Sequence, residues 1–360
     1  MLRAELRKTW SRPLIVTVFI LVCLSQVIYV FTNHNSGIKE LSAAYNAFGG
    51  QMDDSWRNSI YDQYEQLWEV PPESMEDIRN ATLEQKAILT AYNYSFFTEM
   101  LDRYVDALVD EYGDLAVAAY SNLRTASEKG ELVFGSSPAG ETMANQYMIT
   151  WGFLIFMVIL CVDQFSGEKD LDMIPIQSVS KQGRRKLFWT KLLVSQLSAF
   201  IAWAATNLVY ALTLTAFYGW GNLQSVIQDF TFNACPHNWN TVRYLTVVLI
   251  LSLFASQLTA LVVFLLARIG KSTQRSFALM GGTLILPYLL AFLTDNIWLA
   301  LWLPCLINNQ WLWNGLRLLR LGNRFIPLWI IAGAELMLIA VIAVFILWRF
   351  LNAAETDIDS

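Results

Sequence analysis

An all-α polytopic membrane protein is the fold class this sequence predicts, with about six transmembrane helices and a mostly helical extracytoplasmic insert between the first two. Three observations predict it. Of 360 residues, 55% are hydrophobic and 15% charged, which is poorer in charge than soluble domains usually are. Six separate runs approach the roughly 20 apolar residues that a helix needs to cross a hydrocarbon layer of about 30 Å. Between the first two runs the composition turns acidic while apolar residues recur at helical spacing.

Residues 1–12, MLRAELRKTWSR, set Leu2, Leu6 and Trp10 at helical intervals against Arg3, Arg7 and Lys8. Such a piece lies along a membrane surface as an interfacial helix. Residues 13–32 form the first span. Its apolar stretch is longer than a signal-peptide core and no small-residue cleavage motif follows, so the span is expected to stay. Cys23 follows Val22 where a lipidation site would carry a small residue.

Residues 33–144 carry 7 Lys/Arg against 19 Asp/Glu, a net −12, whereas the rest of the chain is +7. Pro71 and Pro72, followed by Ser74 and Asp77 at capping-box spacing, mark a helix start. Gly130, Gly135, Pro138 and Gly140 mark the exit toward the membrane. Aromatic residues interleaved with acids offer a surface for cations, but an amphipathic helix packing its rings inward has the same pattern, and packing is the preferred reading. The sequons at Asn80 and Asn93 carry no weight.

The remaining spans are read at 146–163, 192–217, 242–267, 276–294 and 327–348. Residues 296–326 are expected to be an external re-entrant or interfacial segment. A seventh span across 297–313 would be short and would contain Pro304, Asn308 and Asn309, whereas its Trp residues suit an interface. Residues 349–360 form an acidic, disordered tail. Gly281, Gly282 and Pro287 permit a kink and close helix approach, as between two protomers.

Charge sets the orientation. Arg3, Arg7, Lys8 and Arg12 precede the first span, Lys181, Arg184, Arg185 and Lys186 the third, and Arg268, Lys271 and Arg275 separate the fourth from the fifth. The positive-inside rule then puts both termini in the cytoplasm of a multi-pass protein of the cell membrane. Arg317, Arg320 and Arg324 are the exception, because they fall outside in a six-span arrangement. Cys235 and Cys305 also fall outside, where two free thiols are preferred over a disulfide.

Enzyme chemistry finds no constellation. His34 and His237 are the two histidines, and there is no H-E-x-x-H pair, C-x-x-C or G-x-S-x-G turn. Gly270-Lys271-Ser272 matches the end of a phosphate-binding loop, but Leu265 stands where its first Gly is required. No catalytic, metal or cofactor site is expected in this chain, and no nucleic-acid partner. Polar residues inside spans carry more information, since they are costly in hydrocarbon. Glu335, with Asn207 and Gln257 as milder analogues, is the candidate substrate path; hydrogen bonding between helices is the competing account.

Residues 164–191 are expected to be a cytoplasmic coupling loop or helix. They begin acidic with Glu168, Asp170 and Asp172, pass through Met173, Ile174, Pro175 and Ile176, and finish basic through Lys191. Anchoring needs only the basic end. Apolar anchors for affinity and charges for register are what a docking surface contains, so Glu168, Lys169, Asp170, Ile174, Ile176, Arg184 and Arg185 are the candidate contacts to a cytoplasmic partner.

At this loop the sequence resembles the permease subunits of type-2 ABC exporters. The matching residues are Phe165, Glu168, Ser180, Lys181, Gly183, Arg184, Arg185, Lys191, Leu192 and Leu193, and the basic N-terminal helix and segment before the last span extend the likeness. The resemblance implies that the loop is a coupling helix received by a separate ABC ATPase subunit, which binds ATP and Mg. It also implies a second permease subunit, identical or not, and export of a peptide, lipid-like compound or drug. The 112-residue insert falls outside the resemblance. A membrane sensor or scaffold, binding a ligand through the insert and signalling through the same loop, is the alternative.

Overall fold

The computed structural model describes residues 1–33, 37–68, 70–72, 74–167, 181–227, 235–270, 272–294, 296–313, 316–321 and 324–356. About 79% of the chain is helical. Among the described residues, five helices are long and apolar enough to cross a membrane: Pro13–Thr32, Tyr147–Phe165, Lys186–Phe217, Thr241–Ile269 and Leu328–Arg349. The protein is therefore membrane-embedded and multi-pass. Helices Pro13–Thr32 and Leu328–Arg349 bury only 22% of their apolar window within the chain, so most of their surface meets lipid or another subunit.

Helix α1 (Leu2–Trp10) stops at Ser11, and α2 (Pro13–Thr32) opens with Pro at its first position, where the missing N–H costs nothing. Helix α1 does not merely lie on a surface. Its Trp10 indole donates to Ser198 (3.1 Å) and packs edge-on to Phe19 and against Phe156. Arg3 and Arg7 remain exposed.

The insert folds as α3 (Gly37–Ala47), β1 (Gly50–Gln51), α4 (Asp54–Leu67), α5 (Met75–Asn80), α6 (Leu83–Ser95), α7 (Phe97–Tyr112), α8 (Asp114–Glu128), β2 (Val133–Phe134) and α9 (Pro138–Ala144). The Ser74–Asp77 capping box is formed, and a second, Thr82 with Gln85, starts α6. Trp56, Tyr94, Phe97, Tyr120 and Phe134 are buried in one core with Ile60, Ile88 and Leu101. The rings thus pack inward. Pairing of β1 with β2 closes the ends of the insert onto each other.

Helix α10 (Tyr147–Val162) runs into a π turn, Asp163–Gly167. Helix α11 is continuous from Lys181 to Phe217, 37 residues, or about 55 Å. Its start lies well before residue 192, because KQGRRKLFWT holds no breaker stronger than Gly183. Helix α12 (Thr241–Ile269) follows. The fifth expected span is helical from Thr273 to Leu293 but is interrupted by a π turn between α13 (Thr273–Met280) and α14 (Leu286–Leu293). Pro287 offers no N–H to the carbonyl four residues back, and the Trp302 indole donates to that Thr283 carbonyl (2.8 Å).

The segment before the last helix departs from an all-α fold. After α15 (Ile297–Ala300) and two 3-10 turns comes an antiparallel hairpin of β3 (Leu318–Leu321) and β4 (Arg324–Pro327), leading into α16 (Leu328–Thr356). Leu303 to Ile307 are buried, and Asn309 donates to the Val248 carbonyl (3.0 Å). The segment is a packed plug. Helix α16 continues through Thr356 where a disordered tail was expected, since Asn352-Ala353-Ala354-Glu355 contains no breaker. Among the described residues no two cysteines are joined by a disulfide.

Two ends of the helix bundle follow from the contacts. At one end the insert meets the α11–α12 connection: Asn222 N–H donates to Ser136 (2.7 Å) and Val226 N–H to Val133 (3.0 Å). Gly221, at φ 58°, passes so close to the Ser136 carbonyl that a side chain has no room. The hairpin joins the same end, with Phe325 edge-on to Tyr112 at 5.6 Å. The opposite end holds α1, the π turn after α10 and the start of α11.

Candidate functional site

At that opposite end the described chain stops at Gly167 and resumes at Lys181. Glu168, Lys169, Asp170, Ile174 and Ile176 lie outside the described residues, as do the side chains of Arg184 and Arg185, whose backbone belongs to α11. The structure shows how the two ends of this segment are mounted.

Helix α10 should expose its last carbonyls where it ends. Instead they are capped from two sides. The Arg12 guanidinium, at the start of α2, pairs with the Asp163 carboxylate and donates to its carbonyl (3.3 Å). Lys191, on α11 and only 6% exposed, donates to the Gln164 carbonyl (2.7 Å). Basic groups at a helix C-terminus also complement its dipole. Ser195 donates to Gln164 Oε1 (2.8 Å), and the Lys191 amine lies 5.1 Å from the centroid of the Phe165 ring.

An aromatic layer extends the mounting to α12. Phe165 and Phe188 both meet Phe264 edge-on, at 4.8 and 5.5 Å, and the Arg268 guanidinium lies over Phe188 at 5.1 Å. Helices α2, α10, α11 and α12 therefore converge on the two stubs of one short segment.

Of the expected mounting residues, Lys191 was legible from the sequence resemblance. Arg12 and Arg268 were read only as topological charges, and Asp163, Gln164, Ser195, Phe188 and Phe264 were missed. Their pairing spans up to 151 residues, which no local spacing encodes.

The candidate substrate-path residues are not brought together. Gln257 on α12, with its amide nitrogen facing acceptors, donates to Gln196 Oε1 on α11 (2.9 Å), which is a bond between helices. Asn207 is buried and donates to the Trp203 carbonyl of its own helix (2.9 Å). It sits about 16 Å along α11 from Gln196. Glu335, half-buried on α16, makes no hydrogen bond among the described residues.

Two features mark the insert end. Burial holds the Glu141 carboxyl up at about 7, with the Ser137 N–H pulling weakly the other way. The unfolded carboxyl ionises near 4.5, so between that pH and about 7 the folded state keeps a proton that the unfolded state has lost. Stability is complete below the window and falls as the pH rises through it. Glu141→Gln is expected to flatten this slope and to raise stability at pH 8 by at most about 3 kcal/mol, with a correspondingly higher thermal midpoint; melting curves from pH 4 to 8 check it.

The second feature is a cleft of about 540 Å³ between α8 and residues 236–243. His237 stacks on Trp239 at 4.3 Å, Arg243 lies over Trp239 at 5.8 Å, and Trp313 closes behind at 5.2 Å from Trp239. Burial, then the nearby Arg243, holds His237 below its usual range. Burial also pushes the Cys235 thiol up to about 12, which makes it a poor nucleophile. Compared with known proteins, the chain matches no family model, no curated protein and no solved structure.

Proposed function

We propose that this chain is the membrane-spanning permease subunit of an ABC exporter of the cell membrane, and that segment 168–180 is the handle gripped by a separate ATPase subunit. The observation that carries the reading is the mounting of that segment: α2, α10, α11 and α12 all attach to its two stubs through Arg12, Lys191 and the Phe165–Phe188–Phe264 layer. A solvated loop needs no such mounting. A handle that must move several helices together does. ATP and Mg belong to the partner, whose closure displaces the segment and tilts the helices.

Six crossings with both termini inside are supported by parity. The insert and the hairpin share one end of the bundle through Tyr112 and Phe325, and α10, α11 and α12 cross between them. An even count requires Thr273–Leu293 to cross as well. The basic clusters at residues 3–12, 181–186 and 268–275 then all lie on the cytoplasmic side. The exception, Arg317, Arg320 and Arg324, sits at the end occupied by an insert of net −12, whose attraction offsets the usual bias.

The exposed faces of α2 and α16 fit lipid and a second permease subunit, which completes the transporter. The test is co-purification with the ATPase encoded beside this gene. Arg185→Glu or Glu168→Lys is expected to cut ATPase recovery about tenfold, a loss of roughly 1.4 kcal/mol, without lowering the permease's thermal midpoint. Unchanged recovery from both variants contradicts the proposal.

A further inference from the structure

At the insert end, the cleft between α8 and residues 236–243 contains two formal charges of opposite sign, Glu131 and Arg243. Neither forms an ion pair among the described residues, and both are exposed to the cleft's solvent. Asn122 and Asn238 add amides that donate and accept. The Arg243 guanidinium lies over the Trp239 ring at 5.8 Å, and that ring is backed by His237 and Trp313, a contact that favours a cation at this wall of the cleft. Arg243 is in the first turn of α12, whose following residues are apolar enough to cross the membrane. Trp239 and Trp313 pack together beside the cleft at the start of this helix, and the start of a membrane-crossing helix is where Trp residues meet lipid headgroups.

We infer that this cleft binds a zwitterionic phosphoamine headgroup, with the phosphodiester on Arg243 and Asn238 and the primary ammonium on Glu131. A guanidinium with no carboxylate partner among the described residues matches a phosphate in a fork of paired N–H donors. A carboxylate across the same cleft selects for an amine and against a second anion. The cleft's volume suits a headgroup and leaves the acyl chains to the bilayer. The inference stands apart from the transport reading, because binding requires neither ATP nor a partner.

The experiment uses the full chain in detergent and titrates short-chain phosphatidylethanolamine, phosphatidylglycerol and free phosphoethanolamine by calorimetry. Short-chain phosphatidylethanolamine is expected to bind best. Arg243→Gln is expected to weaken both lipids about tenfold, with Arg243→Lys recovering part of the loss. Glu131→Gln is expected to weaken phosphatidylethanolamine about tenfold while leaving phosphatidylglycerol unchanged or tighter. Both side chains are exposed, so unchanged melting midpoints confirm that the variants fold. Binding of phosphoethanolamine as tight as that of the lipid supports the site and assigns its ligand to solution; weaker binding supports the site and assigns it to the bilayer. Indifference of phosphatidylethanolamine to either variant, or equal effects of Glu131→Gln on both lipids, overturns the inference.

Discussion

Lys191→Met is expected to uncouple the protein: ATP hydrolysis by the bound ATPase no longer drives transport, while membrane insertion and ATPase recovery persist. Met keeps the length of the side chain and its burial but removes every N–H. The Gln164 carbonyl at the end of α10 then loses its partner in a place water hardly reaches, at a cost of about 1–3 kcal/mol. That cost falls on the π turn from which segment 168–180 departs, so the stub loosens before the bundle does. Reconstitution with the ATPase in vesicles separates the outcomes. A variant that melts lower yet couples as well as wild type would show that Lys191 serves stability alone.

The second large effect concerns Arg12 and Asp163. Arg12→Glu sets two carboxylates against each other where α2 and α10 meet, and Asp163→Arg sets two cations there. Each single variant is expected to lose coupling and to lower the thermal midpoint. The exchanged pair, Arg12→Glu with Asp163→Arg, is expected to recover much of both. The pair is about a quarter exposed, so the interaction energy from the double-mutant cycle is on the order of 1 kcal/mol. Recovery of stability without recovery of coupling would confine the pair to anchoring the start of α2.

Much of the bundle was legible because apolar length is a local property: 13–32 and Pro13–Thr32 coincide, and the Ser74 capping box forms as its spacing predicts. Breakers were legible too, since Pro287 does perturb its helix. What escaped were features set by distant partners. The hairpin Leu318–Pro327 pairs within itself but sits where Tyr112, some 200 residues earlier, receives Phe325. Nothing in LLRLGNRFIP announces that contact. The start of α11 was left between loop and helix for the opposite reason: the basic residues from Lys181 are equally good helix formers and continue the helix of the span.

The candidate site divides in the same way. Its charges were legible as a pattern, and Lys191 stood out in the resemblance. The mounting was not, because Arg12 to Asp163 and Lys191 to Gln164 are long-range pairs whose members look unremarkable alone. Gln257 illustrates the reverse. A polar residue in a span was a reasonable candidate for a substrate path, yet its amide bonds to Gln196 on the neighbouring helix, the ordinary use of such residues in a bundle.

The account turns on which side of the membrane holds segment 168–180 and on what covers it. The direct measurement is reaction of Ser178→Cys with a membrane-impermeant maleimide, in a chain whose four native cysteines are replaced by Ala. The account predicts no labelling in intact cells, ready labelling in inside-out vesicles, and suppression of that labelling when the ATPase subunit is added. Labelling of intact cells, or labelling in vesicles that the ATPase leaves unchanged, would contradict it.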